Sequence, residues 1–335
     1  MTVVLETLDS RYLAPQPSLD SSWLNEALRE VLAKVDAMMP RFTTTFPAAS
    51  ATDGCYPAVE KVDWTEGFWT GMLWLAWEVT GDDKYRTVAE GLLDSFEERL
   101  DKQIKVDTHD LGFLYLLSCV NAWKLTGNLR ARSLALRAAE LLYRRFNETA
   151  GVIQAWGDLN DPARQGRMII DCNLNVPLLF WAANETGNAA WREAATRHLA
   201  QAARYLVRED ASSFHTFYMD VHSGQPLRGD THQGFSDSSC WARGQSWGIY
   251  GFALGFRHTG DTAQPALARK LAHYFLNRLP EDFVCYWDLI FTPQDNALRD
   301  TSAAAVAVCG LAELLTLLPL TDPLRPAYNN AIELM

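Results

Sequence analysis

A short mark of punctuation, Thr-Gly followed by Asp or Asn, occurs four times between apolar runs of this chain and restricts it to an array of helical hairpins. The four segments are WLAWEVTGDDKY (74–85), VNAWKLTGNLRA (120–131), LLFWAANETGNAAW (178–191) and FALGFRHTGDTAQ (252–264). In each, the glycine suits the left-handed C-cap of a first helix, and the Asp or Asn after it can N-cap a second. Two helices joined by so short a link must fold back on each other. Apolar periodicity predicts helices over 20–39, 66–80, 82–101, 110–126, 128–146, 174–186, 188–208, 242–259, 263–279 and 301–318, with a further one from about 322. Strand-like alternation is confined to HTFYMDV (215–221), so the chain reads as all-α.

The bulk numbers fit such an array and exclude several functions. With 335 residues, 48% hydrophobic and 11% aromatic, the chain can fill a large core. A net charge of -11 argues against nucleic acid or an anionic membrane as partner. The longest apolar run, 303–318, is interrupted by Glu313 and stopped by Pro319, too short for a bilayer. No signal peptide is visible, and the six cysteines form no C-x-x-C pair, so a cytoplasmic protein with reduced thiols is expected.

The polar motifs share one position. Counting back from each turn threonine, Trp64 lies 16 residues before Thr80, Asp110 lies 16 before Thr126, Asp171 lies 15 before Thr186, and Arg243 lies 16 before Thr259. At 1.5 Å per residue this is roughly 24 Å, one helix length. DWTEGFW, THDLGF, IIDCNLNVP and CWARGQSW therefore sit at the N-terminal ends of successive first helices, and RDTSAAA (299–305) fits the same place. If those helices form an inner ring, the motifs crowd one mouth of it. Capping accounts for a single acid there: Thr108 can be the N-cap before Asp110, and Asp171 can cap its own loop. It does not account for Trp, His, Asn, Arg and Gln gathered around two aspartates.

Asp110 and Asp171 make a carboxylate pair of the kind that acid–base chemistry on sugars uses. Trp64, Trp156 and Trp247 can be core residues or flat platforms for sugar rings. Arg243 can grip a substrate carboxylate or close a surface ion pair. His215 can be a ligand-facing or a structural histidine. His198, His258 and His273 read as surface or packing residues on amphipathic helices. A metal held by His109, Asp110 and His215 is conceivable, but no ligand spacing recommends it. Nucleotide, zinc-protease and α/β-hydrolase motifs are missing from the sequence.

Together, DWTEGFWTGMLWLAWEVTGDDKY, THDLGFLYLLS, DCNLNVPLLFWA, THQGFSDSSCWARGQSWGIYGFAL and RDTSAAAVAVCGL resemble the unsaturated glucuronyl hydrolases, glycoside hydrolase family 88, from Asp63 to Leu315. The resemblance implies a single (α/α)6 barrel of six-hairpin glycosidase type over 1–335, with 1–19 as an N-terminal extension. It implies hydration of the 4,5 double bond of an unsaturated uronate at the non-reducing end of oligosaccharides left by polysaccharide lyases. Asp171 would protonate C4 and activate the water that adds at C5, with Asp110 as the second essential carboxylate. Trp64, Asn147, Trp156, His215, Gln233, Arg243 and Trp247 would contact the sugar. No metal or other cofactor is implied, and a monomer or homodimer is expected. An unsaturated rhamnogalacturonyl hydrolase-like enzyme, or a non-catalytic oligosaccharide-binding barrel, is the alternative.

Family members continue past the point matching Met335, so closure of the ring is expected to be incomplete. The helix at 20–39 carries Trp23, Leu24, Ala27, Leu28, Val31, Leu32, Val35 and Met38 on one stripe, which needs a partner. Without the last inner helix an apolar slot stays open beside it. The natural protein is then expected to be longer, or a neighbouring chain to fill the slot.

Overall fold

The Thr-Gly-Asx turns close as hairpins, and the threonine turns out to bind both sides of the link. The computed structural model describes residues 3–14, 20–61 and 63–335. Gly81, Gly127, Gly187 and Gly260 all take left-handed φ values between 69° and 74°. Thr80, Thr126, Thr186 and Thr259 each donate a hydroxyl to the carbonyl one helical turn back, at 2.6–2.8 Å. The hydroxyls of Thr80, Thr186 and Thr259 also accept the N–H two residues on. Asp82, Asn128 and Asn188 then cap the next helix through their side chains. Each end is thus satisfied locally.

Helix α1 (Ser21–Met38) precedes five hairpins. Their members are α2 (Glu66–Thr80) with α3 (Asp83–Gly91) and α4 (Leu93–Asp101), then α5 (Leu111–Tyr115) and α6 (Asn121–Thr126) with α7 (Leu129–Tyr143). There follow α8 (Pro177–Thr186) with α9 (Ala189–Tyr205), α10 (Ala242–Thr259) with α11 (Ala263–Leu276), and α12 (Thr301–Leu317) with α13 (Arg325–Leu334). Two expected helices are interrupted. The one over 82–101 breaks at Leu92, just after Gly91, a poor helix former. The one over 110–126 passes through a wide π turn at Leu116–Val120. The helix expected from 174 begins only at Pro177, which suits a first turn, after a 3-10 turn at Ile170–Leu174.

Helices α2, α5–α6, α8, α10 and α12 pack side by side in that order, and their hairpin mates cover them from outside. Burial patterns show the two layers. Inner α8 buries six residues in a row, Leu178 to Ala183, which only a helix covered on all sides can do. Outer α9 buries Trp191, Ala194, Ala195, His198, Leu199 and Ala202, a single stripe at helical spacing. His198 is therefore core and not surface, with Nδ1 accepting the Ile153 N–H at 3.0 Å. His273 is likewise buried, its ring bonded to Tyr328 and the Glu6 carbonyl.

The inner helices form the arc of a helical barrel that runs from α2 to α12. On its α2 side a cavity of about 280 Å³ is lined wholly by apolar residues: Leu28, Val31, Leu32 and Val35 of α1, and Met72, Leu75, Ala76 and Val79 of α2. Leu75 is 60% exposed. The described part of the N-terminal extension, residues 3–14, is by contrast docked. Tyr12 is fully buried and donates to the Leu276 carbonyl, and Arg11 donates to the carbonyls of Leu276 and Leu279.

The fold is mostly helical, as the sequence indicates, with a few short strands added in its loops. Short strands form where the loops leading into the inner helices are long enough to pair their backbones. Strands β1 (Phe46–Pro47) and β2 (Ala58–Val59) pair, as do β3 (Phe146–Asn147) and β4 (Val152–Ile153). Strands β5 (Arg167–Ile169), β6 (Thr216–Met219) and β7 (Pro226–Asp230) make an antiparallel sheet in that order. The alternation read in HTFYMDV is its middle strand. All three sheets stand at the mouth.

Candidate active site

Two glycines decide how closely the mouth segments meet. A Cβ on Gly67 would lie 2.2 Å from the Phe113 carbonyl oxygen, so α2 packs directly on the α5 backbone. A Cβ on Gly112 would lie 2.2 Å from Asn175 Cα, so α5 packs directly on the DCNLN turn. No other residue fits either contact without backbone movement. Asn175 ties the junction: its Oδ1 accepts the Phe113 N–H at 2.7 Å, and its Nδ2 donates to the Asp171 carbonyl at 3.2 Å. The segments carrying Asp110 and Asp171 are thereby locked together. From the other side, Ile170 N–H donates to the His215 carbonyl, extending the β5–β6 ladder to the residue before Asp171.

Asp110 and Asp171 flank His109. The imidazole is fully buried, with Nε2 3.4 Å from Asp110 Oδ1 and 3.9 Å from Asp171 Oδ1. Thr108 is not an N-cap. Its hydroxyl donates to Asp110 Oδ2 at 2.7 Å and accepts the Asp110 N–H at 3.1 Å, clamping that side chain. Both carboxyl groups are held above the ordinary carboxylate range, chiefly by burial. Asp171 is raised further because the Asp110 charge adds to its desolvation, whereas the Thr108 hydroxyl favours charge on Asp110. Both acids therefore favour the protonated form more than an ordinary aspartate does, Asp171 the more of the two. Burial and the nearby Arg145 charge push His109 down to about 3, so its ring is neutral.

A cleft of about 410 Å³ opens over Asp110, with Trp64, Thr108 and Trp156 in its walls. Trp64 leads an aromatic cluster through Phe113 at 5.2 Å, and Phe113 in turn meets Trp247 at 5.2 Å. The Trp64 loop is fixed from behind by a buried ion pair: Arg99 bonds Glu66 and the Asp63 carbonyl, while Glu66 accepts the Asp63 N–H. Trp156 has the Arg167 guanidinium over its ring and the His232 ring edge-on to it, each 5.0 Å away. His215 Nδ1 accepts the N–H groups of His232 and Gln233, so the ring, held neutral by burial, carries its proton on Nε2.

The remaining sequence candidates are placed differently. Gln233 sits on an exposed loop above His215. Arg243, at the start of α10, is held by Asp300 at 3.2 Å and by the Ser302 hydroxyl, so a substrate carboxylate must compete with Asp300 for it. Trp247 is 5% exposed and belongs to the apolar floor. Asn147 is not brought to the cleft. Its Oδ1 caps the β3–β4 turn by accepting the Ala150 N–H, a common use of asparagine in tight turns. Among the described residues, the His and acid donors close enough to converge on a cation are His109, Asp110 and Asp171, within 4.8 Å of one another, and not the His109, Asp110 and His215 set.

Sequence reading left His109 out of the site, although it stands beside Asp110 in the HDLGF motif. It also missed Asp288, which is fully buried in the CYWDLI segment. Asp288 accepts the N–H groups of Phe235, Cys240 and Ile290 and the Ser239 hydroxyl, and so shapes the loop that carries Gln233.

The family model of Glycosyl Hydrolase Family 88 matches residues 34–317. The unsaturated chondroitin disaccharide hydrolase of Streptococcus pneumoniae is 44% identical over 319 residues, covering 95% of this chain and 80% of its own length. The crystal structure of unsaturated glucuronyl hydrolase from Streptococcus agalactiae superposes with a TM-score of 0.96 at 42% identity, over 100% of this chain and 84% of the other. An Asp-to-Asn mutant of that S. agalactiae protein, complexed with dGlcA-GalNAc6S, superposes with a TM-score of 0.87 at 39% identity, over 100% and 83% of the two chains.

Proposed function

The chain belongs to Glycosyl Hydrolase Family 88 and is a glycosidase, and we propose that it hydrates the 4,5 double bond of an unsaturated uronate at the non-reducing end of lyase-generated oligosaccharides. The observation that carries this reading is the unequal carboxyl pair. Asp171 holds a proton near neutral pH while Asp110 is clamped by Thr108 as the better anion. An enol ether needs such an acid. Asp171 gives its proton to C4, and positive charge develops at C5, shared with the ring oxygen. Water adds at C5 and returns a proton to the Asp171 carboxylate, which restores the acid. The C5 hemiketal then opens to a ketone, leaving a hemiacetal at C1, whose collapse to the aldehyde breaks the glycosidic bond and frees the remaining saccharide as an alcohol and the uronate as a keto acid.

Trp64 and Trp156 offer the ring faces on which a sugar can stack, and Asp110 accepts its hydroxyls. The family relatives that act on unsaturated chondroitin disaccharide, and the complex with dGlcA-GalNAc6S, support glycosaminoglycan fragments as the substrate class. We place the enzyme in the cytoplasm, as a monomer or homodimer without nucleic acid or membrane partners. The net charge of -11 and the free state of all six cysteines support this. No described helix is long and apolar enough to cross a membrane.

The test is direct. Unsaturated disaccharides from chondroitin, hyaluronan and heparin are supplied in turn, and loss of the ultraviolet absorbance of the conjugated double bond is followed. Turnover of at least one is expected. No loss with any of them, sulfated or unsulfated, overturns the reading.

A further inference from the structure

His109 is a buried polar group with no partner of its own. Neither ring nitrogen makes a hydrogen bond within the protein, although the residue has no solvent exposure. Buried polar groups are nearly always satisfied, and the exceptions ask for a reason. Here the reason lies in what Nε2 faces: two carboxyl oxygens just outside hydrogen-bond length, Asp110 Oδ1 and Asp171 Oδ1. A neutral imidazole has a single N–H. With that proton on Nε2 the ring attracts both oxygens; with it on Nδ1 a lone pair would face them and repel them.

We propose that His109 is a positioning residue for the proton of the reaction, its Nε2–H shared between the two carboxyl groups and biased toward Asp110. This rests on the hydration reading given above. The bias has two sources. Asp110 is nearer to Nε2 by half an ångström, and it also holds the Thr108 hydroxyl, whereas Asp171 Oδ1 has no hydrogen-bond donor. Two donors on one carboxylate and none on the facing oxygen of the other keep the charge on Asp110 and the proton on Asp171. The charged and titratable groups around the ring are few: Arg145, His198 and His215 alongside the two acids, with Cys172 next to Asp171. Arg145 and burial hold the imidazole itself neutral, so it steers the proton without carrying positive charge.

Two variants separate this role from packing. His109→Gln places an amide N–H near the Nε2 position, and His109→Phe fills the space without a donor. In His109→Phe the Asp110 anion loses a donor, so both limbs of the pH profile of kcat move to higher pH. The proton is then less biased to Asp171, and kcat falls at least tenfold while KM changes less than threefold. His109→Gln recovers most of both. Carboxyl 13C shifts of the aspartates, followed by NMR against pH without substrate, give the same answer independently of turnover, so they remain decisive even if the hydration reading fails. Circular dichroism establishes that each variant is folded. Unshifted limbs and unshifted carboxyl titrations in folded His109→Phe overturn the proposal, as does a folded His109→Gln no better than His109→Phe.

Discussion

The same inner helices end in two opposite ways. At their C-terminal ends, the Thr-Gly-Asx links leave little unpaired: hydroxyl, glycine N–H and Asx side chain all find partners within a few residues. At their N-terminal ends, His109 and Asp171 keep buried polar atoms without partners, and two acids lie beside each other above their ordinary pKa. Satisfied ends supply stability. Unsatisfied ones lower it and hold groups ready for a substrate, which is how strain and polarity concentrate at working sites.

Asp171→Asn is the largest test of this contrast. The amide is isosteric with the acid but cannot cycle a proton, so kcat should fall by about 10²–10⁴-fold or more. Since the acid gains little from its surroundings, the melting temperature should stay level or rise. Retention of a tenth of wild-type kcat would show that another group supplies the proton.

Gly112→Ala comes next. The added methyl meets Asn175 backbone at 2.2 Å, so α5 must retreat from the DCNLN turn and carry Asp110 away from Asp171. A loss of about 1–3 kcal/mol in stability is expected from overpacking, with a fall of at least about tenfold in kcat, since small misplacements at reacting groups are costly. Denaturant unfolding and kinetics on one preparation measure both.

The pH dependence of stability follows from the raised acids. A carboxyl group whose folded pKa lies above its unfolded value binds an extra proton in the folded state. Its contribution is fully present below the ordinary carboxylate range and is lost as pH rises through the folded value. From about pH 5 to about pH 9 the wild type should therefore lose melting temperature relative to Asp171→Asn. Parallel curves for the two proteins would mean that Asp171 is not raised.

The smallest effects belong to the turn end. Gly187 has φ +74° and open space around it, so Gly187→Ala should lower stability by about 1–2 kcal/mol through backbone strain alone. Asn188→Ala removes the cap on α9 and should take about 1 kcal/mol. Both should leave kcat within twofold. If either lowers kcat tenfold, the two ends are coupled and the division made above is wrong.

The sequence reading found the mouth because the spacing from motif to turn is nearly constant, 15 or 16 residues, so motifs counted back from the turns fall near one end. Of the residues it singled out, the structure brings Trp64, Asp110 and Trp156 to one cleft and sets Asp171 beside Asp110 across His109. Asn147 and Trp247, named through the family resemblance, lie in a tight turn and in the aromatic cluster beneath Trp64, positions that no local pattern in the chain distinguishes. His109 was in view from the start as the neighbour of Asp110. What was not legible was that its ring would reach Asp171, 62 residues away in the chain.

Sequence alone determined the hairpins, because glycine in the left-handed region, Asx caps and 3.6-residue periodicity act over a handful of residues. It also determined which residue types reach the mouth. Only the tertiary structure decided how differently the two aspartates are surrounded. That depends on burial and on how the Thr108–Asp110 segment meets the turn that carries Asp171: Thr108 bonds Asp110, His109 Nε2 lies nearer to Asp110 than to Asp171, and two glycines let the backbones touch. Electrostatic energies in a low-dielectric cleft vary steeply over such distances, and no local pattern in a chain encodes them.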